Sequence, residues 1–170
     1  MPARQESCSF TGHRPSKLPW GTDEDDPRCL ALRRRIADAI QAAYDEGFRH
    51  FLCGMAQGCD LLFGEEVRLF RRTHSGVTLE AAIPHPQQPD SYFPDERARD
   101  WQIFNDCDFH YVAFGHYTPT CLLQRDRYLI DHASLLLAAY DGLPGGTKYT
   151  VQYALKRGVE VRFLPIIEPL

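Results

Sequence analysis

Short apolar runs alternate with stretches of helical periodicity from one end of the chain to the other. Residues 7–10, 50–53, 77–83, 109–114, 135–139 and 161–164 each predict a strand. Between them, apolar side chains recur at helical spacing. Leu32, Ile36, Ala39, Ile40 and Ala43 mark one face, opened by Asp26 as a cap with Pro27 in the first helical position and closed near Gly47. Phe63, Val67 and Phe70 mark a second helix. Residues 94–106, with Trp101 and Phe104, predict a third, and 122–132 a fourth. Val151, Ala154 and Leu155 mark a fifth, with Gly158 at its stop. The run at 135–139 is apolar at every position, the pattern of a strand covered on both faces. Such alternation predicts the α/β class, a Rossmann-like three-layer sandwich with a mainly parallel sheet. Residues 1–170 read as a single domain, with no repeat, low-complexity tract or linker.

In sheets of this kind ligands bind beyond the carboxyl ends of the strands, so the turns that follow strands carry the functional information. Four are distinctive, at 11–15, 54–60, 84–86 and 141–147, and the fold should gather them on one edge. The last is the most informative. Gly145 and Gly146 let backbone approach a ligand, and Thr147 adds a hydroxyl where a helix N-terminus favours an anion. Asp141, beside Gly142, is placed to orient this turn or to bind a ribose. Thr11, Gly12, His13 and Arg14 form either a second wall, with Arg14 forked onto phosphate or carboxylate oxygens, or a tight turn with a surface arginine. Gly54, Gly58 and Asp60 form a third, in which Asp60 caps a helix or accepts a ribose hydroxyl. Arg125 and Arg127 are surface charges unless one of them closes the anion site. Glu65 and Glu66 are candidate general bases, against the plainer expectation of a solvated helix face. Tyr92 and Trp101 read as core or loop-packing aromatics.

Other chemistries lack their signatures. The Gly-x-Gly-x-x-Gly fingerprint and the Gly-Lys-Ser/Thr of a P-loop are absent, as is a Gly-x-Ser-x-Gly elbow. The histidines show no metal-ligand spacing, so no metal is expected. Six scattered cysteines without a Cys-x-x-Cys pair fit reduced thiols in the cytoplasm. No apolar run approaches the ~20 residues that span a bilayer, and a signal-peptide core is missing, so no membrane is expected. Hydrophobic residues at 44% and charged residues at 25% are ordinary for a globular domain, while a net charge of -4 disfavours nucleic acid as a partner.

Together, the segments Phe10-Thr-Gly-His-Arg-Pro15, Gly54-Met-Ala-Gln-Gly-Cys-Asp60 with Glu65-Glu66-Val67, Arg125-Asp-Arg127 and Tyr140-Asp-Gly-Leu-Pro-Gly-Gly-Thr147 with Tyr153-Ala154 resemble the SLOG superfamily, and within it the YpsA-like branch. The resemblance covers nearly the whole chain, in order. It implies a cytosolic, Rossmann-like sensor or regulator of a small nucleotide-derived ligand such as an ADP-ribose- or NAD-like molecule, in a domain that often pairs with its own kind. Two alternatives come with it. One is hydrolysis of nucleotide N-glycosidic or phosphate bonds, as in the LOG-type phosphoribohydrolases; the other is single-stranded DNA binding, as in DprA. The LOG enzymes carry Pro-Gly-Gly-x-Gly-Thr-x-x-Glu. Here Pro144-Gly-Gly-Thr147 is shorter, and Thr150 stands where the glutamate would be.

Overall fold

The computed structural model describes residues 1–169. Six strands alternate with five helices: β1 (Ser7–Gly12), α1 (Pro27–Asp45), β2 (His50–Cys53), α2 (Cys59–Phe70), β3 (Thr78–Ile83), α3 (Pro94–Asp106), β4 (Phe109–Val112), α4 (Cys121–Asp131), β5 (Leu135–Ala139), α5 (Gly146–Lys156) and β6 (Glu160–Leu164). They form one parallel sheet in the order β4-β3-β2-β1-β5-β6. This is the Rossmann-like α/β fold that the alternation predicts. Element ends differ by a residue or two. β4, for instance, stops at Val112, although Ala113 and Phe114 still donate backbone bonds to the end of β3 and the residue beyond it.

Strand alternation sorts the core into two layers. Phe10, Phe51, Leu79, Leu135 and Leu137 pack with Leu32, Ile36 and Ile40 of α1, Phe63 and Val67 of α2 and Ile103 of α3. Leu136 and Ala138 meet α4 and α5 through Ile130, Val151 and Ala154, while Leu52 and Ala82 meet Leu129. Phe10 and Phe63 stack with ring centroids 4.5 Å apart, and each fully buried phenylalanine contributes roughly 2–3 kcal/mol. Two aromatic or apolar expectations change. Trp101 is 66% exposed, because Ile103 faces the core and a step of two residues turns roughly 200° around a helix. Leu155 is likewise on the outer face of α5, one position from buried Ala154. All six cysteines are free and buried; burial pushes the Cys29 thiol up to about 11 and that of Cys107 to about 12, far from the range of reactive thiols.

The sheet order places the site. β1 and β5 are neighbours, yet the chain leaves β1 towards β2 and leaves β5 towards β6. The loops at their carboxyl ends part, and a crevice opens between them.

Candidate functional site

The crevice at this switch point holds a cleft of about 200 Å³. One side comes from the turn after β1, with Thr11, Gly12, His13, Arg14 and Lys17. Asp60 from α2 and Arg125 and Asp126 from α4 line the middle, and Gly146, Thr147 and Thr150 bring in the start of α5. Three of the four distinctive turns thus contribute to it.

The α5 end is built to meet an anion. Gly145 takes φ +143°, which an L side chain rarely adopts, and a Cβ there would press on the Lys17 side chain at 3.0 Å. Gly146 is different: nothing stands within 4 Å of where its Cβ would be. Both are exposed, so N–H groups of the first helical turn face solvent and carry the positive end of the helix dipole. Thr147 is buried beside them, and the Thr150 hydroxyl donates back to the Gly146 carbonyl at 3.0 Å. Lys17, exposed in the 3-10 turn Pro15–Lys17, donates its ammonium to the Pro144 carbonyl.

A His–Asp pair joins the two walls. His13 Nε2 lies 2.7 Å from Asp141 Oδ1, which also accepts the Leu143 N–H at 3.0 Å. Burial raises the Asp141 carboxyl, but the Leu143 N–H and His13 outweigh it and hold the group below the usual carboxylate range. Asp141 therefore orients both the glycine turn and a cleft-lining histidine.

The middle of the cleft is a set of buried charges. Arg125 donates through Nη1 to the Gly54 carbonyl and through Nε to Asp126 at 2.7 Å. Asp60 accepts the Ala56 N–H on Oδ2 at 3.1 Å, while its buried Oδ1 has no hydrogen-bond partner. Burial pushes this carboxyl up to about 6 even though Arg125 pulls it down. A buried acceptor without a partner is costly, and a ligand hydroxyl or N–H would satisfy it.

The structure separates the predicted glycines into two kinds. A Cβ on Gly12 would overlap that of Cys59 and sit 3.1 Å from that of Ala139. On Gly54 it would lie 2.9 Å from Asp60 Oδ2, and on Gly58, at φ +81°, 2.8 Å from the His13 carbonyl. These three let protein pack on protein. Gly142, at φ +95°, shapes the turn in open space. Gly12 and Gly146 line the cleft, and exposed Gly145 precedes Gly146 in the turn that opens α5. Glu65 and Glu66 are not among the cleft-lining residues. Glu65 accepts from Arg33 at 2.9 Å and from Arg99 at 2.7 Å, and Glu66 lies 3.7 Å from Arg33. Arg127 donates to the Tyr149 hydroxyl on the surface, and Tyr92 is buried with its hydroxyl on the Met55 carbonyl. Lys17 and Asp126 are charged cleft residues that the motifs do not single out, and Ser16, Leu122 and Leu129 are uncharged ones. Asp126 was inside the quoted Arg125-Asp-Arg127 segment, but Lys17 lies in a polar loop with no pattern to mark it. Among the described residues no three His, Cys, Asp or Glu side chains converge as a metal site, and no helix is long and apolar enough to cross a membrane.

Comparison with known proteins agrees with this architecture. Over 144 residues the chain is 24% identical to the uncharacterized SPbeta prophage-derived protein YoqJ of Bacillus subtilis, covering 77% of this chain and 84% of that one. Two solved structures share the fold. The DNA processing protein A of Streptococcus pneumoniae superposes with a TM-score of 0.63 at 14% identity, over 94% of this chain and 50% of its own. The Helicobacter pylori protein, described for its single-stranded DNA binding mode, superposes with a TM-score of 0.63 at 12% identity, over 95% and 65%. This chain thus spans about half to two-thirds of those two structures. The model of YpsA, described as the YspA SLOG family, matches residues 8–164, and the chain belongs to that family.

Proposed function

We propose that the switch-point cleft binds a nucleotide or nucleotide-derived small molecule, of the ADP-ribose or NAD-like kind, and that the protein acts as a sensor or regulator. SLOG family membership points to nucleotide-related binding. The observation that carries the finer claim is the pairing of two unlike ends in one cleft. An exposed Gly145-Gly146 turn with Thr147 opens α5 to a phosphate, and Asp60 offers an unpartnered acceptor to a ribose hydroxyl.

Hydrolysis receives less support. Glu65 and Glu66 are held by Arg33 and Arg99 outside the cleft, and Thr150 replaces the carboxylate of the LOG motif with a hydroxyl turned to its own helix. The DNA reading rests on the fold neighbour from Helicobacter pylori. Against it, Asp60 and Asp126 line the cleft, and a strand of phosphates would meet both carboxylates.

Calorimetric titration with ADP-ribose, NAD, AMP and a single-stranded oligonucleotide separates the three readings. The expected result is saturable binding of at least one of the three small nucleotides, with no base released on long incubation. Binding of the oligonucleotide alone, with steep salt dependence, would contradict the proposal.

A further inference from the structure

We infer that Lys17 reads the ligand's phosphate, and that this phosphate lies at the α5 end of the cleft. This rests on the cleft being a nucleotide site. The charge layout carries the inference. Arg14, Lys17 and Arg125 are the cations of the cleft, and Asp60 and Asp126 are its carboxylates. Arg125 is neutralised by Asp126 at 2.7 Å, whereas exposed Arg14 has no carboxylate within ion-pair distance among the described residues. His13 is paired with Asp141. Lys17 has no carboxylate partner among the described residues; its ammonium rests on a neutral carbonyl, that of Pro144.

Of the two unpaired cations, Lys17 is the one held against the turn that opens α5, where the helix N-terminus and its dipole add to its charge. Gly145 lacks the Cβ that would press on the Lys17 stem, so the lysine lies directly along the glycine turn. Its loop is anchored, because Leu18 and Trp20 beside it are buried in the core. An ammonium so placed exchanges a neutral acceptor for a charged one when a phosphate arrives, and charge-assisted bonds are roughly twice as strong as neutral ones. A second observation points to a ligand here: Asp60, 6% exposed, lines the same cleft with Oδ1 unpartnered. The ligand is thus oriented, phosphoryl group on Lys17 and α5, hydroxyl-bearing group on Asp60.

The test is titration of Lys17→Met and Lys17→Arg with ADP-ribose across a salt series, with adenosine as the phosphate-free probe. Lys17 is exposed, so both variants should fold; unchanged thermal midpoints check this. Lys17→Met should bind ADP-ribose at least tenfold more weakly and with a shallower salt dependence. Lys17→Arg should retain most of the affinity, and any binding of adenosine should be unchanged. Wild-type affinity and salt slope in Lys17→Met would overturn the assignment while leaving the cleft a nucleotide site. If the wild-type protein binds neither ADP-ribose nor any other nucleotide, both claims fall.

Discussion

Asp60 lines the cleft as a buried carboxyl with one oxygen bonded to a backbone N–H and the other unpartnered. Burial sets its titration at about 6, so the group changes state close to neutrality. In the proposed site an ionised Asp60 would accept from a ligand hydroxyl, a capacity that protonation reduces. Affinity for ADP-ribose, whose bridging diphosphate does not titrate near neutrality, should therefore fall as pH drops below the folded value, by at most about tenfold for each unit. Asp60→Asn keeps an acceptor without a titration and should flatten the profile. A pH profile identical in wild type and Asp60→Asn would remove the carboxyl from the account. Lys17 shows why part of the site is not legible in sequence. The reach of a long side chain depends on the path of its loop, and nothing in a polar segment states that path. Asp60 was legible because a glycine turn entering a helix specifies its own geometry.

At the scale of elements, the cleft owes its shape to glycines that let neighbouring elements pack closely. Gly12 lets β1 end directly against α2, and Gly58 tucks the start of α2 under the His13 carbonyl, where the Cys59 N–H also donates at 3.2 Å. The sequence pattern marked these glycines correctly as close approaches, but which surface approaches is a tertiary fact. Helix periodicity has the same limit. It found α3 and α5, yet Trp101 and Leu155 fall outside the buried stripe because a short window leaves the stripe's edges undefined. Gly12→Ala follows from the packing. The added methyl overlaps a neighbouring Cβ that is fixed to backbone, so the variant should lose about 1–3 kcal/mol in urea unfolding. Stability equal to wild type would mean that β1 and α2 are free to separate, and that the walls of the cleft are not held as described.

For the whole molecule, the strand order determines where chemistry can occur. A parallel sheet whose chain winds outward in opposite directions from β1 and β5 has one switch point, and the richest turns of the chain meet there. That much was legible before any coordinates, since strand–helix alternation implies parallel strands and post-strand turns on one edge. The partner of each charge was not legible: Arg125 with Asp126, His13 with Asp141, Glu65 with Arg99. These pairings, set by packing, leave Lys17 on the turn before α5 and Asp60 Oδ1 without a partner in one cleft. The central claim is that phosphate binds at the open turn of α5, and Gly146 tests it most directly. A Cβ there meets nothing within 4 Å, so Gly146→Val should unfold at the wild-type midpoint while its side chain occupies the anion position. The measurement is calorimetric affinity for ADP-ribose in wild type and Gly146→Val. Loss of at least tenfold in affinity with stability retained is the predicted result; equal affinity in the two proteins would contradict the account.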